Sequence, residues 1–226
     1  MIKCLATGST GNCYLVNLGG GSIILDAGIS VDNIVAEVNL NDVDFAFISH
    51  QHKDHSRSFD KLVFRGVKCL NGFTNQEFIK SEKLSKFGGE YQIFQFPIEH
   101  GECNNNGIII KYDEECILYL TDFSICKYNL HQFKFTQVLI ECNYLEEKIN
   151  PNDIKMKRQI NTHMSLDGCI KFLKTLNLEK CKEIDLIHMS PTVGDSIVMG
   201  SRVYHEFKIK TGVCKQFGGI EYYGRG

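Results

Sequence analysis

The stretch Ile48-Ser49-His50-Gln51-His52-Lys53-Asp54-His55 decides how the rest of this chain is read. The apolar run Phe45-Ala46-Phe47-Ile48 leads into it, and four side chains able to bind a metal, His50, His52, Asp54 and His55, then fall within six residues. Imidazole and carboxylate together suit zinc, manganese or iron. Alternate side chains at a strand end point to one face, so His50 and His52 enter one pocket. The loop that follows swings Asp54 and His55 toward a second ion. The competing reading is a polar loop with three exposed or satisfied histidines.

Around this segment the composition sets bounds. The chain has 226 residues, with 25 Lys and Arg against 27 Asp and Glu, a formal net charge of -2. That balance argues against an overall basic coat for nucleic acid and leaves room for a local basic patch. With 43% hydrophobic residues and 11% aromatics the chain can bury an ordinary core, which excludes disorder and collagen-like structure. The ten cysteines contain no C-x-x-C pair and are read as mostly reduced thiols. Met1-Ile2-Lys3-Cys4 runs straight into a strand-like segment without a secretory leader, and the longest apolar runs are far below the roughly 20 residues that span a bilayer. A cytoplasmic protein with no membrane partner is expected.

Strand-like runs are predicted at Met1 to Ala6, Cys13 to Leu18, Ser22 to Leu25, Val43 to Ile48, Tyr91 to Ile98, Gly107 to Tyr112, Cys116 to Leu120 and Gln137 to Glu141. Gly8-Ser9-Thr10-Gly11-Asn12 and Gly19-Gly20-Gly21 separate the opening strands at hairpin distance, so the chain begins as an antiparallel meander. Helical periods are predicted at Val31 to Val38, Asn75 to Lys83, Ser165 to Leu176 and Ser201 to Lys210, the last ended by Thr211-Gly212. No Pro/Ser-rich linker interrupts the alternation. The expectation is an α/β protein, one domain over residues 1–226, with two sheets covered by helices.

These blocks resemble the metallo-β-lactamase-fold hydrolases over nearly the whole chain. The resemblance is carried by Gly8 to Tyr14, by Leu25-Asp26-Ala27-Gly28, by the His50 to His55 string, by Glu99-His100, by Leu120-Thr121-Asp122 and by Leu186-Ile187-His188-Met189-Ser190. It implies a four-layer αβ/βα sandwich. It also implies two divalent metal ions, zinc or manganese, one on His50, His52 and His100 and the other on Asp54, His55 and His188, with Asp122 bridging both. Asp26 is then a carboxylate behind a histidine ligand, orienting it rather than binding metal. Six of the eight histidines lie in these blocks if His163 is counted, leaving His131 and His205 outside.

Glu141 in Leu139-Ile140-Glu141-Cys142-Asn143 and His163 in Asn161-Thr162-His163-Met164-Ser165 resemble the pair that assists catalysis in RNase Z-like enzymes. The resemblance therefore implies Glu141, His163 and Asp54 as catalytic residues and a metal-bridging hydroxide as nucleophile, cleaving phosphodiester bonds in nucleic acid or cyclic nucleotides. An aspartate at position 122 differs from the cysteine usual in the β-lactamases, and the interval from Asp122 to His188 is too short for the insertion of RNase J-like nucleases. The compact WalJ-like group, found in bacteria and phages, fits best through Gly8 to Tyr14, Glu141 to Asn143, His163 to Ser165 and His188 to Ser190. Gly101-Glu102 after His100, and Pro191 to Asp195, depart from that group's pattern. Lys155, Lys157 and Arg158 are candidates to steer a phosphate toward the metals, with a solvated helix face as the alternative. Partners are a nucleic acid or nucleotide substrate and, by resemblance, a second copy in a homodimer; the setting implied is the cytoplasm of a bacterial or phage-infected cell. Two other functions share the scaffold: a thioester or other acyl hydrolase, and a non-catalytic module that binds a nucleotide.

Overall fold

The computed structural model describes residues 2–18, 21–73, 80–86 and 89–224. Among them, thirteen strands form two sheets. The first holds β1 (Ile2–Ala6), β2 (Cys13–Asn17), β3 (Ser22–Leu25), β4 (Val43–Ile48) and β5 (Cys69–Asn71) in sequence order, the first three antiparallel and the last three parallel. The second begins as the meander β6 (Lys80–Lys86), β7 (Gly89–His100), β8 (Cys103–Tyr112) and β9 (Glu115–Leu120). It continues as parallel strands β10 (Gln137–Glu141), β11 (Glu183–Ile187) and β12 (Lys210–Cys214), with antiparallel β13 (Ile220–Tyr223) at its edge.

Three apolar layers follow from the period of two in the strands. Ile23, Leu25, Phe45 and Phe47 point from the first sheet onto Ile108, Ile110, Tyr119 and Leu139 of the second. On the outer face of the first sheet, Ile24, Ala46 and Ile48 cover Val31 and Ile34 of α1 (Val31–Val35) and Leu62 of α3 (Phe59–Phe64). On the outer face of the second, Leu118, Ile140 and Leu186 meet the stripe Leu166, Cys169, Ile170 and Leu173 of the helix Leu166–Leu173, and Met199 and Val203 of the helix Ser196–Phe207. Strands buried on both faces read as continuous apolar runs, as in Val43 to Ile48. This is the four-layer αβ/βα sandwich. No described helix is long and apolar enough to cross a membrane, and all ten cysteines are free thiols.

Several boundaries differ from the sequence reading. Of the helix expected at Asn75 to Lys83, residues 74–79 lie outside the described residues, and Lys80–Lys86 form β6, paired antiparallel with β7. Lys, Ser and Glu favour helix or coil in isolation, and the long neighbouring strand overrides them. A Lys-rich edge strand also resists pairing with another chain. The last helix starts at Ser196, capped by the Asp195 side chain, and ends at Phe207, so Thr211 and Gly212 belong to β12. The first stops at Val35, and residues 19 and 20 of the Gly19-Gly20-Gly21 turn lie outside the described residues.

Candidate active site

Nearly every chemically interesting residue sits where a strand ends. Asp26 follows β3, His50 comes just beyond β4, Asp122 just beyond β9, and His188 follows β11; His100 and Glu141 are the last residues of β7 and β10. The parallel strands therefore deliver their side chains to one edge, where ligands bind in α/β sheets. Three of these residues turn the chain in the left-handed region: Asp26 at φ 58°, Asp122 at φ 49° and His188 at φ 53°. Such backbone costs a residue with a Cβ about 1–3 kcal/mol and concentrates at functional sites. It turns each side chain away from the strand direction and over the sheet edge.

The centre is Asp122, which is 3% exposed. Its two oxygens face different histidines. Oδ2 lies 3.5 Å from His100 Nε2 and 3.7 Å from His50 Nε2, whereas Oδ1 lies 3.2 Å from His188 Nε2 and 3.5 Å from His55 Nε2. Donor atoms of His50, His52, His100 and Asp122 all lie within 4.8 Å of one another, as do those of Asp54, His55, Asp122 and His188. Burial holds His50 and His100 below the ordinary imidazole value, leaving neutral donors at pH 7. Burial also opposes charge on His188, but the Asp122 carboxylate, with those of Asp54 and Glu141 beside it, outweighs this and pushes the imidazole up to about 10. Against its own burial, the Asp122 carboxyl is held well below the usual carboxylate range, chiefly by His188 and His55.

The residues behind these donors explain the opening motifs. Asp26 is fully buried and accepts hydrogen bonds from Ser49 N at 2.7 Å and Ser49 Oγ at 2.9 Å. It also accepts from Tyr119 Oη at 2.5 Å and pairs with His55 Nδ1 at 2.5 Å, which aims His55 Nε2 at the cluster. Ser49 Oγ lies 3.0 Å from His50 Nδ1. A Cβ at Gly28 would fall 1.6 Å from the Asp54 carbonyl oxygen, so only glycine lets the strand end lie against the four-residue helix α2 (Lys53–Ser56) that carries Asp54 and His55. Asn12 N donates to that same carbonyl, while the Thr7 hydroxyl accepts from His188 N at 2.8 Å. Gly8 to Tyr14 thus braces the site. Ser49, Thr7 and Tyr119 carry no sequence signal of their own; proximity to His50 and Asp122 along the chain is the nearest to one. Asp26→Ala is expected to lower the unfolding free energy by about 3–5 kcal/mol, because it strands a buried imidazole and three donors, Ser49 N, Ser49 Oγ and Tyr119 Oη. Asp26→Asn, which tolerates the left-handed backbone, should cost less stability yet weaken metal affinity about 10- to 100-fold. Denaturant melts and metal titration check both.

His163 ends helix α4 (Ile154–Thr162). Its Nδ1 lies 2.6 Å from Glu141 Oε1, and Glu141 Oε2 accepts from Phe123 N at 2.8 Å. Asp122, Glu141, His163 and His188 form a third group of donor atoms within 4.8 Å. Glu141 Oε1 makes its short contact with His163 and lies 3.3 Å from His188 Nδ1. Burial of His163 disfavours its charge, but the Glu141 carboxylate overcomes this and raises the imidazole above its ordinary value. His163, Asp54 and Asp122 open onto a cleft of about 780 Å³, whose wall includes Lys155 and Arg158. Lys157 is exposed and does not line it. A cavity of about 810 Å³ at the opposite strand ends, lined by Gln137, Glu183 and Lys210, contains none of the clustered donors.

The donor set fits a divalent cation. His188 Nε2 is buried without a hydrogen-bond partner, although it faces Asp122, and an orphaned buried imidazole nitrogen beside carboxylates is what a metal ligand looks like before binding. The architecture and this edge are those of the metallo-β-lactamase fold, with a histidine-carboxylate cluster at the edge. Residues 6–88 match the model of the metallo-beta-lactamase superfamily. The chain is similar to exodeoxyribonuclease YycJ of Bacillus anthracis, 31% identical over 116 residues, a match that spans 42% of this chain and 44% of that protein. It is also 24% identical to exodeoxyribonuclease WalJ of Streptococcus pneumoniae over 216 residues, 82% of this chain and 80% of that one. Among solved structures, the metallo-beta-lactamase fold protein YhfI from Bacillus subtilis superposes with a TM-score of 0.68 at 15% identity, covering 98% of this chain and 99% of that one.

Proposed function

We propose that the protein is a nuclease-type phosphodiesterase whose site takes two divalent cations, zinc or manganese. In this reading His50, His52, His100 and Asp122 Oδ2 hold one, and Asp54, His55, His188 and Asp122 Oδ1 hold the other. The observation that carries it is the division of the Asp122 oxygens between two sets of histidines. Bound there, such cations supply Lewis acidity toward phosphate oxygens and lower the pKa of water toward neutrality. The chain's own residues do the rest. Asp26 and the Thr162 carbonyl, which accepts from His100 Nδ1 at 2.9 Å, fix two imidazoles so that their Nε2 atoms face inward. Glu141 holds the Nδ1 proton of His163, leaving Nε2 to pass a proton to the oxygen that departs as the P–O bond breaks.

Both curated relatives are exodeoxyribonucleases, which favours a nucleic-acid strand over a thioester. The test is a panel in which the metal-stripped chain is reloaded separately with zinc and manganese. It is offered single-stranded DNA, RNA, cyclic mononucleotides, bis(p-nitrophenyl) phosphate and a thioester. Cleavage of strands, with metal content near two per chain, is the expected result. Thioester turnover without phosphodiester turnover, or tight nucleotide binding without product, would overturn the reading.

A further inference from the structure

Helix α4 touches the cleft through Lys155, Arg158, Gln159 and Thr162. The spacing i, i+3, i+4, i+7 is one helical face. None of its nine residues is buried, so hydrophobic packing does not explain why it lies where it does. Polar links hold it instead. Gln159 Nε2 donates to Asn143 Oδ1, Asn143 Nδ2 donates to the His188 carbonyl at 2.6 Å, and the carbonyl of Thr162 holds His100. The face is therefore tied to one histidine on each side of Asp122.

The charge on that face is also unspent. Nearby cations are paired, Lys127 with Glu99 and Lys148 with Asp195. Among the described residues, Lys155 and Arg158 have no such ion pair, although Glu102, Asp54 and Asp122 line the same cleft. The remaining wall, with Ser9, Gln51 and Cys103, carries no further Lys or Arg. In a chain of net charge -2, these two side chains are what would draw a polyanion to this edge.

We infer that α4 is the strand-recognition element of the site: Lys155 and Arg158 contact two backbone phosphates adjacent to the scissile linkage, so the enzyme reads a short single-stranded end rather than a long track. This rests on the nuclease reading above. Residues one turn apart stand about 5–6 Å apart at Cβ, within reach of neighbouring phosphates of one strand. Two cations suit a short strand rather than a long track, and among the described residues that line the cleft there is no Phe or Tyr on which successive bases could stack. Gln159 acts as a positioning residue, keeping the phosphate-binding face in register with the metal donors.

The test is the salt dependence of strand cleavage by the metal-loaded full chain, with fluorescence anisotropy of labelled DNA and RNA oligonucleotides on the chelator-treated chain as a second readout. Two single-strand phosphate contacts predict a slope of log(kcat/KM) against log[salt] of about -1.4. Lys155→Gln and Arg158→Gln should each flatten it by about 0.7 and raise KM uniformly across sequences while kcat is kept. The anisotropy affinities should fall in the same order. Lys157→Gln, off the cleft, should change neither. If wild type cuts strands but all three variants keep its slope and KM, or if Lys157→Gln matches the other two, the inference falls and the nuclease reading survives. If the wild-type chain neither binds nor cuts strands and turns over only another ester, both fall together.

Discussion

Asp122→Asn should remove phosphodiester turnover by at least about 1000-fold, equivalent to about 4 kcal/mol of transition-state stabilisation, and should leave the chain folded with at most one metal. Asparagine keeps the volume and tolerates the left-handed backbone at φ 49°. The change is therefore electrostatic. One buried charge is lost from a position 3.2–3.7 Å from four imidazoles, and one oxygen acceptor becomes an amide donor aimed at one of the two histidine sets. Elemental analysis should show the loss of metal, and circular dichroism should show the unchanged fold. Because a ligand that binds only the native state raises the melting temperature, added zinc should stabilise wild type and not the variant. A variant that holds two metals and cleaves strands at the wild-type rate would end the two-cation assignment.

The parts of this site that could be read in the sequence are those whose residue type is costly elsewhere. His50, His52, Asp54 and His55 crowd one loop, and Asp122 and His188 each come just after an apolar strand, so chemistry and position agree. The opening meander was legible because Gly8 to Asn12 and Gly19 to Gly21 separate strand-like apolar runs at hairpin distance. Strand β6 was not, since its Lys, Ser and Glu residues are placed by pairing with β7 rather than by local preference. Helix α4 was legible only as a basic stretch. With no buried residue it has no apolar stripe, and its position depends on Gln159 and Thr162 bonding to residues far away in sequence. The same holds for Tyr119 and Ser49. Any strand or loop can carry a tyrosine or serine, and only the folded chain reveals that both reach Asp26. Lys155 and Arg158 part from Lys157 for a geometric reason: side chains two apart on a helix do not share a face.

His163→Ala should lower kcat on strands by about 100- to 10,000-fold, the range for loss of a positioned proton donor, with metal content unchanged. The reason is its place in the chain of contacts. Glu141 is fully buried and fixed from behind by Phe123 N, so its other oxygen is committed to His163 Nδ1. The imidazole, stacked on His188 at 5.3 Å between ring centres, is left with Nε2 toward the cleft. A donor there matters in proportion to how poorly the departing oxygen carries negative charge. The sugar oxygen of a strand needs the proton, whereas p-nitrophenolate leaves well without one. The variant should therefore lose most of its rate on oligonucleotides and little on bis(p-nitrophenyl) phosphate. Glu141→Gln should fall between wild type and His163→Ala, because glutamine can still accept from His163 Nδ1 but no longer supplies the charge that favours the imidazolium. A proton donor works while protonated, so activity falls as pH rises through its pKa. Since the Glu141 carboxylate raises that value in the wild type, the falling limb of the pH profile should move to lower pH in Glu141→Gln. Equal losses on both leaving groups, or loss of metal from His163→Ala, would make His163 a ligand or a structural contact instead of the proton donor.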